Sequence, residues 1–180
     1  MPNQCVRSKV VVVGDPAVGK TALVQMFSSA GQRFPKQYMM TCGAELCVKS
    51  VTVPSNEVQV ELHLFDTGGQ DVFAELMPKF WDGAVAVVVV YDVTRQHTLD
   101  ACNVWYRRVL EAVQRDRLPG AIVANKMDQS ERLAVPREAG QQMARDCGLQ
   151  YFECSAQDGE GVELPYQHIA AQLAEGMALS

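Results

Sequence analysis

Short runs of branched apolar residues recur along the chain, densest from Val10 to Val13 and from Ala84 to Tyr91, and stretches with helical spacing separate them. Strands joined by crossover helices around a mainly parallel sheet produce this alternation, because a doubly buried strand reads as a continuous apolar run and a helix as one apolar stripe. The pattern predicts strands near Arg7–Val13, Ala44–Pro54, Val58–Phe65, Val85–Tyr91, Gly120–Asn125 and Gln150–Cys154. Ser55 to Glu57 is too short to hold a crossover helix, so the second and third strands are expected as an antiparallel hairpin. Helices are expected after Gly19 and over Thr98–Arg115, Arg137–Cys147 and Val162–Met177. The expected fold class is α/β, a doubly wound, six-stranded, mainly parallel sheet with one antiparallel edge strand. Ala30–Thr41 and Thr67–Phe80 interrupt the pattern, and irregular stretches of that length in a compact domain usually carry function.

Composition narrows this picture. A chain of 180 residues, 48% of them hydrophobic, suits one domain spanning residues 1–180. A net charge of -5 argues against a broad nucleic-acid footprint or a polybasic membrane patch, both of which need clustered cations. The six cysteines show neither CxxC pairing nor histidines at ligand spacing, so a disulfide or zinc framework is not expected and a reducing, cytoplasmic compartment is. The start MPNQC has no basic stretch followed by an apolar one and has Pro2 at its second position, so neither secretion nor myristoylation is expected. The apolar run Ala84–Tyr91 falls well short of the roughly 20 residues that a membrane helix needs. With Cys154 the last cysteine, no prenylated C-terminus and no lipid anchor are expected.

The strongest chemical signal is Gly14-Asp15-Pro16-Ala17-Val18-Gly19-Lys20-Thr21, which follows the first strand and opens a helix. This is the phosphate-loop pattern GxxxxGK[ST] in its required setting. Glycines let the backbone curl, the N–H groups from Asp15 to Ala22 and the helix N-terminus meet phosphate charge, and Lys20 bridges the outer phosphates. Pro16 itself has no N–H to give, so the cradle starts beyond it. The Thr21 hydroxyl suits magnesium. By itself the loop does not choose between ATP and GTP.

Asn125-Lys126-Met127-Asp128 follows the fifth strand, at the sheet end where open α/β folds bind ligands. Asp128 can accept from N1–H and the 2-amino group of guanine, an arrangement that adenine does not offer. Lys126 can lay its stem over the base, and Asn125 can tie this loop to the phosphate loop. Read alone, NKxD is also an ordinary turn sequence. Ser155-Ala156 after the last strand adds a backbone N–H for the guanine carbonyl oxygen.

With these segments in this order, the chain resembles the Ras-like small GTPases from Gly14 to Ala156. The resemblance implies GTP and GDP with Mg2+ as ligands and slow GTP hydrolysis. It implies that Thr41, in Tyr38-Met39-Met40-Thr41, senses the γ-phosphate through magnesium as part of a first switch. In the second switch, Asp66-Thr67-Gly68-Gly69-Gln70, Asp66 would hold magnesium through water. Gly69 N–H would contact the γ-phosphate, and Gln70 would orient the attacking water. Gln70, Lys20 and Thr41 are thus the expected catalytic residues, and Thr21, Thr41 and Asp66 the metal ligands. Within the family, Gly14–Leu23, the run Tyr38-x-x-Thr41-x-Gly43-x-Glu45-Leu46-x-Val48-Lys49, the stretch Phe73-x-Glu75-x-x-x-Lys79-x-Trp81 and Leu118-Pro119-Gly120 are similar to the Rab-like subgroup of the intraflagellar transport complex IFT-B. That likeness implies a small β-sandwich partner subunit, other IFT-B subunits, an exchange factor, an activating protein, and work at the cilium or flagellum and its base.

Some positions depart from the family pattern. Pro16 and Ala17 stand where small polar residues or glycine are common, which can crowd Gln70 and leaves the hydrolysis rate open. Gly68 stands for the usual alanine and makes the second switch Gly-Gly. Arg33 in the first switch is expected as a solvated charge. Trp105 at helical spacing is expected to pack, and Trp81 to pack or to mark a partner surface. The rival to a switch is a constitutive complex subunit that keeps nucleotide as a structural cofactor with little turnover.

Overall fold

In the computed structural model, residues 5–55, 57–69 and 75–178 are described. Six strands, β1 (Cys5–Val13), β2 (Ala44–Thr52), β3 (Gln59–Thr67), β4 (Ala86–Asp92), β5 (Gly120–Asn125) and β6 (Gln150–Glu153), form one sheet in the order β2-β3-β1-β4-β5-β6. All neighbours run parallel except β2 and β3. The hairpin and the antiparallel edge strand are those expected from the short connection between them. The helices are α1 (Lys20–Ser28), α2 (Met77–Trp81), α3 (Gln96–Asp100), α4 (Cys102–Val113), α5 (Arg137–Cys147) and α6 (Glu163–Ala178).

Side-chain alternation in the central strands builds two cores. Val10 and Val12 of β1 face the layer of α1 and α6, where Phe27 and Tyr166 stack at 4.1 Å. Val11 and Val13 face the opposite layer with Trp81, Trp105 and Tyr106. Every residue of β4 is buried, as the apolar run predicts. Burial of a branched side chain contributes about 1.5–3 kcal/mol, so these two strands supply much of the driving force.

Two sequence expectations change, and one alternative that the sequence left open is decided. The stretch Thr67–Phe80 contains α2, whose Pro78 suits a helix start because the proline N–H is not needed there. Trp81, a candidate partner residue, is only 2% exposed and packs edge-on against Trp105 with centroids 6.3 Å apart. The helix expected over Thr98–Arg115 begins earlier, is divided at Ala101, and ends where Gln114 turns left-handed at φ 55°.

The edge strand β2 is held by more than its ladder. Lys49 reaches under it, donates to Phe27 O at the end of α1, pairs with Glu163 at 3.1 Å and lies 4.1 Å over the Phe27 ring.

Candidate functional site

The loops after β1, β3, β5 and β6 meet at the carboxyl end of the sheet, where this topology places ligands. The first turns on Gly19, at φ 100°, where a Cβ would lie 2.2 Å from the Asn125 amide nitrogen. Only glycine fits that crossing. Lys20 folds back and donates to Gly14 O at 2.9 Å and Asp15 O at 2.8 Å. It is 7% exposed; burial lowers its pKa to about 8, against the pull of Asp66 and Asp15. Among the described residues this buried cation contacts carbonyls and no carboxylate, which favours an anion beside it.

Val18 is fully buried, so it offers its backbone only. Pro16, Ala17, Gly19, Lys20, Thr21 and Ala22 border a cleft of about 210 Å³ that the first switch closes with Tyr38, Met39, Met40 and Thr41, and the second with Gly68 and Gly69. Gly69 rests on the loop so closely that a Cβ there would lie 2.5 Å from Gly14 O. Gly68 N–H donates to Gly43 O at 2.8 Å and so links the segment after β3 to the loop that carries Thr41. Gln70 and Phe73 lie outside the described residues.

The three expected metal ligands converge. The Thr21 and Thr41 hydroxyl oxygens are 3.0 Å apart, and Asp66 Oδ2 accepts from Thr21 at 2.5 Å and from Thr41 at 3.4 Å. Adjacent oxygens around an octahedral magnesium, each about 2.0–2.1 Å from the ion, stand about 3 Å from one another, which is the Thr21–Thr41 spacing. Asp66 is buried, and its Oδ1 has no hydrogen-bond partner among the described residues. Burial pushes its carboxyl above the usual range, against the Thr21 hydrogen bond and the Lys20 charge. A hard cation would relieve that cost, so the donor set fits magnesium.

The guanine-side residues come together behind the loop and do not border the cleft. Asn125 donates to Val18 O at 2.9 Å and accepts from Ala156 N–H at 3.1 Å, which joins three loops through one buried amide. Lys126, left-handed at φ 72°, donates to Ala17 O at 2.8 Å. Ser155 Oγ donates to Asp128 Oδ1 at 2.8 Å, which orients the carboxylate.

Several contacts were not foreseen from sequence. Asp92, at the end of β4, is 1% exposed, and its Oδ2 lies 3.0 Å from Arg95 Nε and 2.8 Å from Lys126 Nζ. Arg95 also donates to Pro16 O at 3.1 Å. The Trp105 indole donates to Asp15 Oδ1 at 2.7 Å. One signal was available: Asp92 is the only charged residue in an otherwise apolar strand. Glu45 also borders the cleft and adds to the upward shift of Asp66.

Among the described residues no cluster of three or more His, Cys, Asp or Glu side chains could hold a metal, and no helix is long and apolar enough to cross a membrane. Arg33 is exposed, as expected.

Comparison with known proteins bears on the same residues. A model of the Ras family matches residues 9–175. An intraflagellar transport protein 27 homolog from Homo sapiens is 39% identical over 165 residues, covering 92% of this chain and 89% of the relative. Intraflagellar transport protein 27 of Chlamydomonas reinhardtii is 38% identical over 169 residues, 91% of this chain and 82% of the relative. The Ras-related protein Rab7 of Drosophila melanogaster is 36% identical over 170 residues, 93% and 80% respectively. With the phosphate loop, both switch segments and the NKxD loop on one Ras-type sheet, the chain belongs to the Ras family of small GTPases.

Proposed function

We propose that residues 1–180 form a single guanine-nucleotide-binding domain that holds GTP or GDP with magnesium and hydrolyses GTP slowly. The observation that carries this reading is the convergence of Thr21, Thr41 and Asp66, with Asp66 Oδ1 buried and without a hydrogen-bond partner among the described residues, beside the buried cation of Lys20. In it, the backbone from Asp15 to Ala22 and Gly69 N–H hold the phosphates, and Lys20 neutralises their charge. Asn125, Lys126, Asp128, Ser155 and Ala156 hold the base. Magnesium, when bound, supplies positive charge at the outer phosphates. Gln70 orients the attacking water. Thr41 couples the first switch to the triphosphate, so loss of the γ-phosphate releases it.

Single-turnover hydrolysis of magnesium-GTP, run beside Gln70→Leu with bound nucleotide identified after denaturation, tests this. Slow turnover that Gln70→Leu abolishes is the expected result. Absence of any guanine nucleotide would overturn the reading. A second reading, nucleotide as a structural cofactor in a constitutive subunit, is favoured by Pro16, which gives the loop no N–H, and by Gly68, which makes the second switch Gly-Gly. Retained nucleotide without Gln70-dependent turnover would select it.

The likeness to intraflagellar transport protein 27 supports a place in the IFT-B complex at the cilium or flagellum, and a small β-sandwich subunit is the partner proposed there. Co-elution with reconstituted IFT-B subunits tests that assignment, and separate elution would remove it. An exchange factor and an activating protein are the further expected partners, the latter because no arginine of this chain is assigned to the transition state.

A further inference from the structure

Five consecutive carbonyls of the phosphate loop each accept a hydrogen bond from a side chain. Lys20 takes those of Gly14 and Asp15. The next three are held by residues from elsewhere in the fold: Pro16 O by Arg95 at 3.1 Å, Ala17 O by Lys126 at 2.8 Å and Val18 O by Asn125 at 2.9 Å. In a trans peptide the carbonyl and the following N–H point in opposite directions, and the chain has no cis peptide among the described residues. Each carbonyl drawn outward therefore aims the next N–H inward. The three holds orient the N–H groups of Ala17, Val18 and Gly19 into the concave arrangement that binds anions.

The first hold acts at the weakest point of the loop. Pro16 contributes no donor, and Ala17 carries a Cβ in the left-handed region at φ 59°, a conformation that costs roughly 1–2 kcal/mol for a residue with a side chain. Arg95 meets that point with a planar fork, its Nε on Asp92 Oδ2 at 3.0 Å and its Nη2 on Pro16 O. Asp92 is fixed in turn by the Thr94 N–H at 2.9 Å and hydroxyl at 2.6 Å, and it lies 2.8 Å from Lys126 Nζ. One buried carboxylate thus sets two cations on adjacent carbonyls of the loop.

We propose that Arg95 is a positioning residue for nucleotide binding, holding the Pro16–Ala17 peptide so that Ala17 N–H faces the outer phosphates. The assignment rests on the guanine-nucleotide reading above. It distinguishes Arg95 from a general surface brace, because its effect falls on phosphates beyond the first. A lysine at 95 has one compact ammonium and cannot serve Asp92 and Pro16 with the same fork.

The test compares release of a fluorescent GDP, and equilibrium binding of GMP, for the full wild-type chain, Arg95→Ala and Arg95→Lys. GDP release should accelerate roughly fivefold to tenfold in Arg95→Ala and by a smaller factor in Arg95→Lys, while GMP affinity stays within about twofold. Equal weakening of GMP and GDP would reduce Arg95 to a structural brace. Unchanged GDP release in both variants would remove the role, with nucleotide binding intact. A wild-type chain that binds neither GDP nor GMP would overturn the nucleotide reading and the Arg95 assignment with it.

Discussion

Thr21 and Thr41, at the start of α1 and in the first switch, bring their hydroxyl oxygens to 3.0 Å, each within hydrogen-bond reach of Asp66 Oδ2. Their roles separate on the nucleotide they serve. Thr21→Ala should weaken magnesium-dependent binding of GDP and GTP alike, by roughly tenfold to a hundredfold, and Thr41→Ala should spare GDP within about twofold while weakening GTP. Nucleotide release with and without EDTA checks both, because chelation should erase the difference between Thr21→Ala and the wild type. Equal losses for GDP and GTP in Thr41→Ala would deny Thr41 a γ-phosphate role.

Asn125 is 1% exposed and serves Val18 O and Ala156 N–H with the two ends of one amide. Asn125→Ala leaves two buried backbone groups unpaired, a cost of about 2–4 kcal/mol and a melting temperature lower by roughly 5–15 °C. Asn125→Asp keeps the acceptor for Ala156 but sets a buried carboxylate oxygen against Val18 O, so it should also melt below the parent. Thermal unfolding ranks the three chains, and an Asn125→Ala protein as stable as the parent would contradict the bridge.

Ala17 at φ 59° stores strain that glycine would not. Ala17→Gly should raise stability by about 1 kcal/mol, with Ala17→Val lowering it by at least as much. Urea unfolding midpoints measure the pair. If glycine stabilised nothing, the left-handed turn would not be strained.

Asp92 supplies a pH dependence whose sign follows from its partners. Burial acts to raise its carboxyl, but the hydrogen bonds from Lys126 and Thr94 outweigh that and hold it below the ordinary range. The folded state therefore binds this proton less readily than the unfolded chain does. The contribution is complete above the unfolded pKa of about 4 and is lost as pH falls through the lower folded value. The stability difference between wild type and Asp92→Asn should be constant near neutrality and shrink below about pH 4. Parallel unfolding curves down to pH 3 would show that the carboxylate gains nothing from these partners.

The sheet was legible because its strands carry one-dimensional signals. Val10 to Val13 and β4 are apolar on both faces, and the short hairpin connection permits only antiparallel pairing. The phosphate loop and NKxD were legible as fixed spacings around particular chemistry. Helix α2 was not, since Met77–Trp81 is too short to display a helical period. Nor was the Asp92–Arg95 support of Pro16, which joins positions 79 residues apart, or the Trp105–Asp15 bond across 90. Such pairings are set by how layers stack and leave no local pattern.

The reach of Lys49 beneath β2 has a mechanical consequence. β2 begins at Ala44, just after the loop that carries Thr41, so any pull on that loop is felt along this edge strand. To slide against β3, the strand would have to tear the Lys49 ammonium from the end of α1 and from Glu163 in the same movement that shears its ladder. The load is shared by three elements rather than peeled one hydrogen bond at a time. The segment ahead of the strand can therefore flex while its anchorage stays in register.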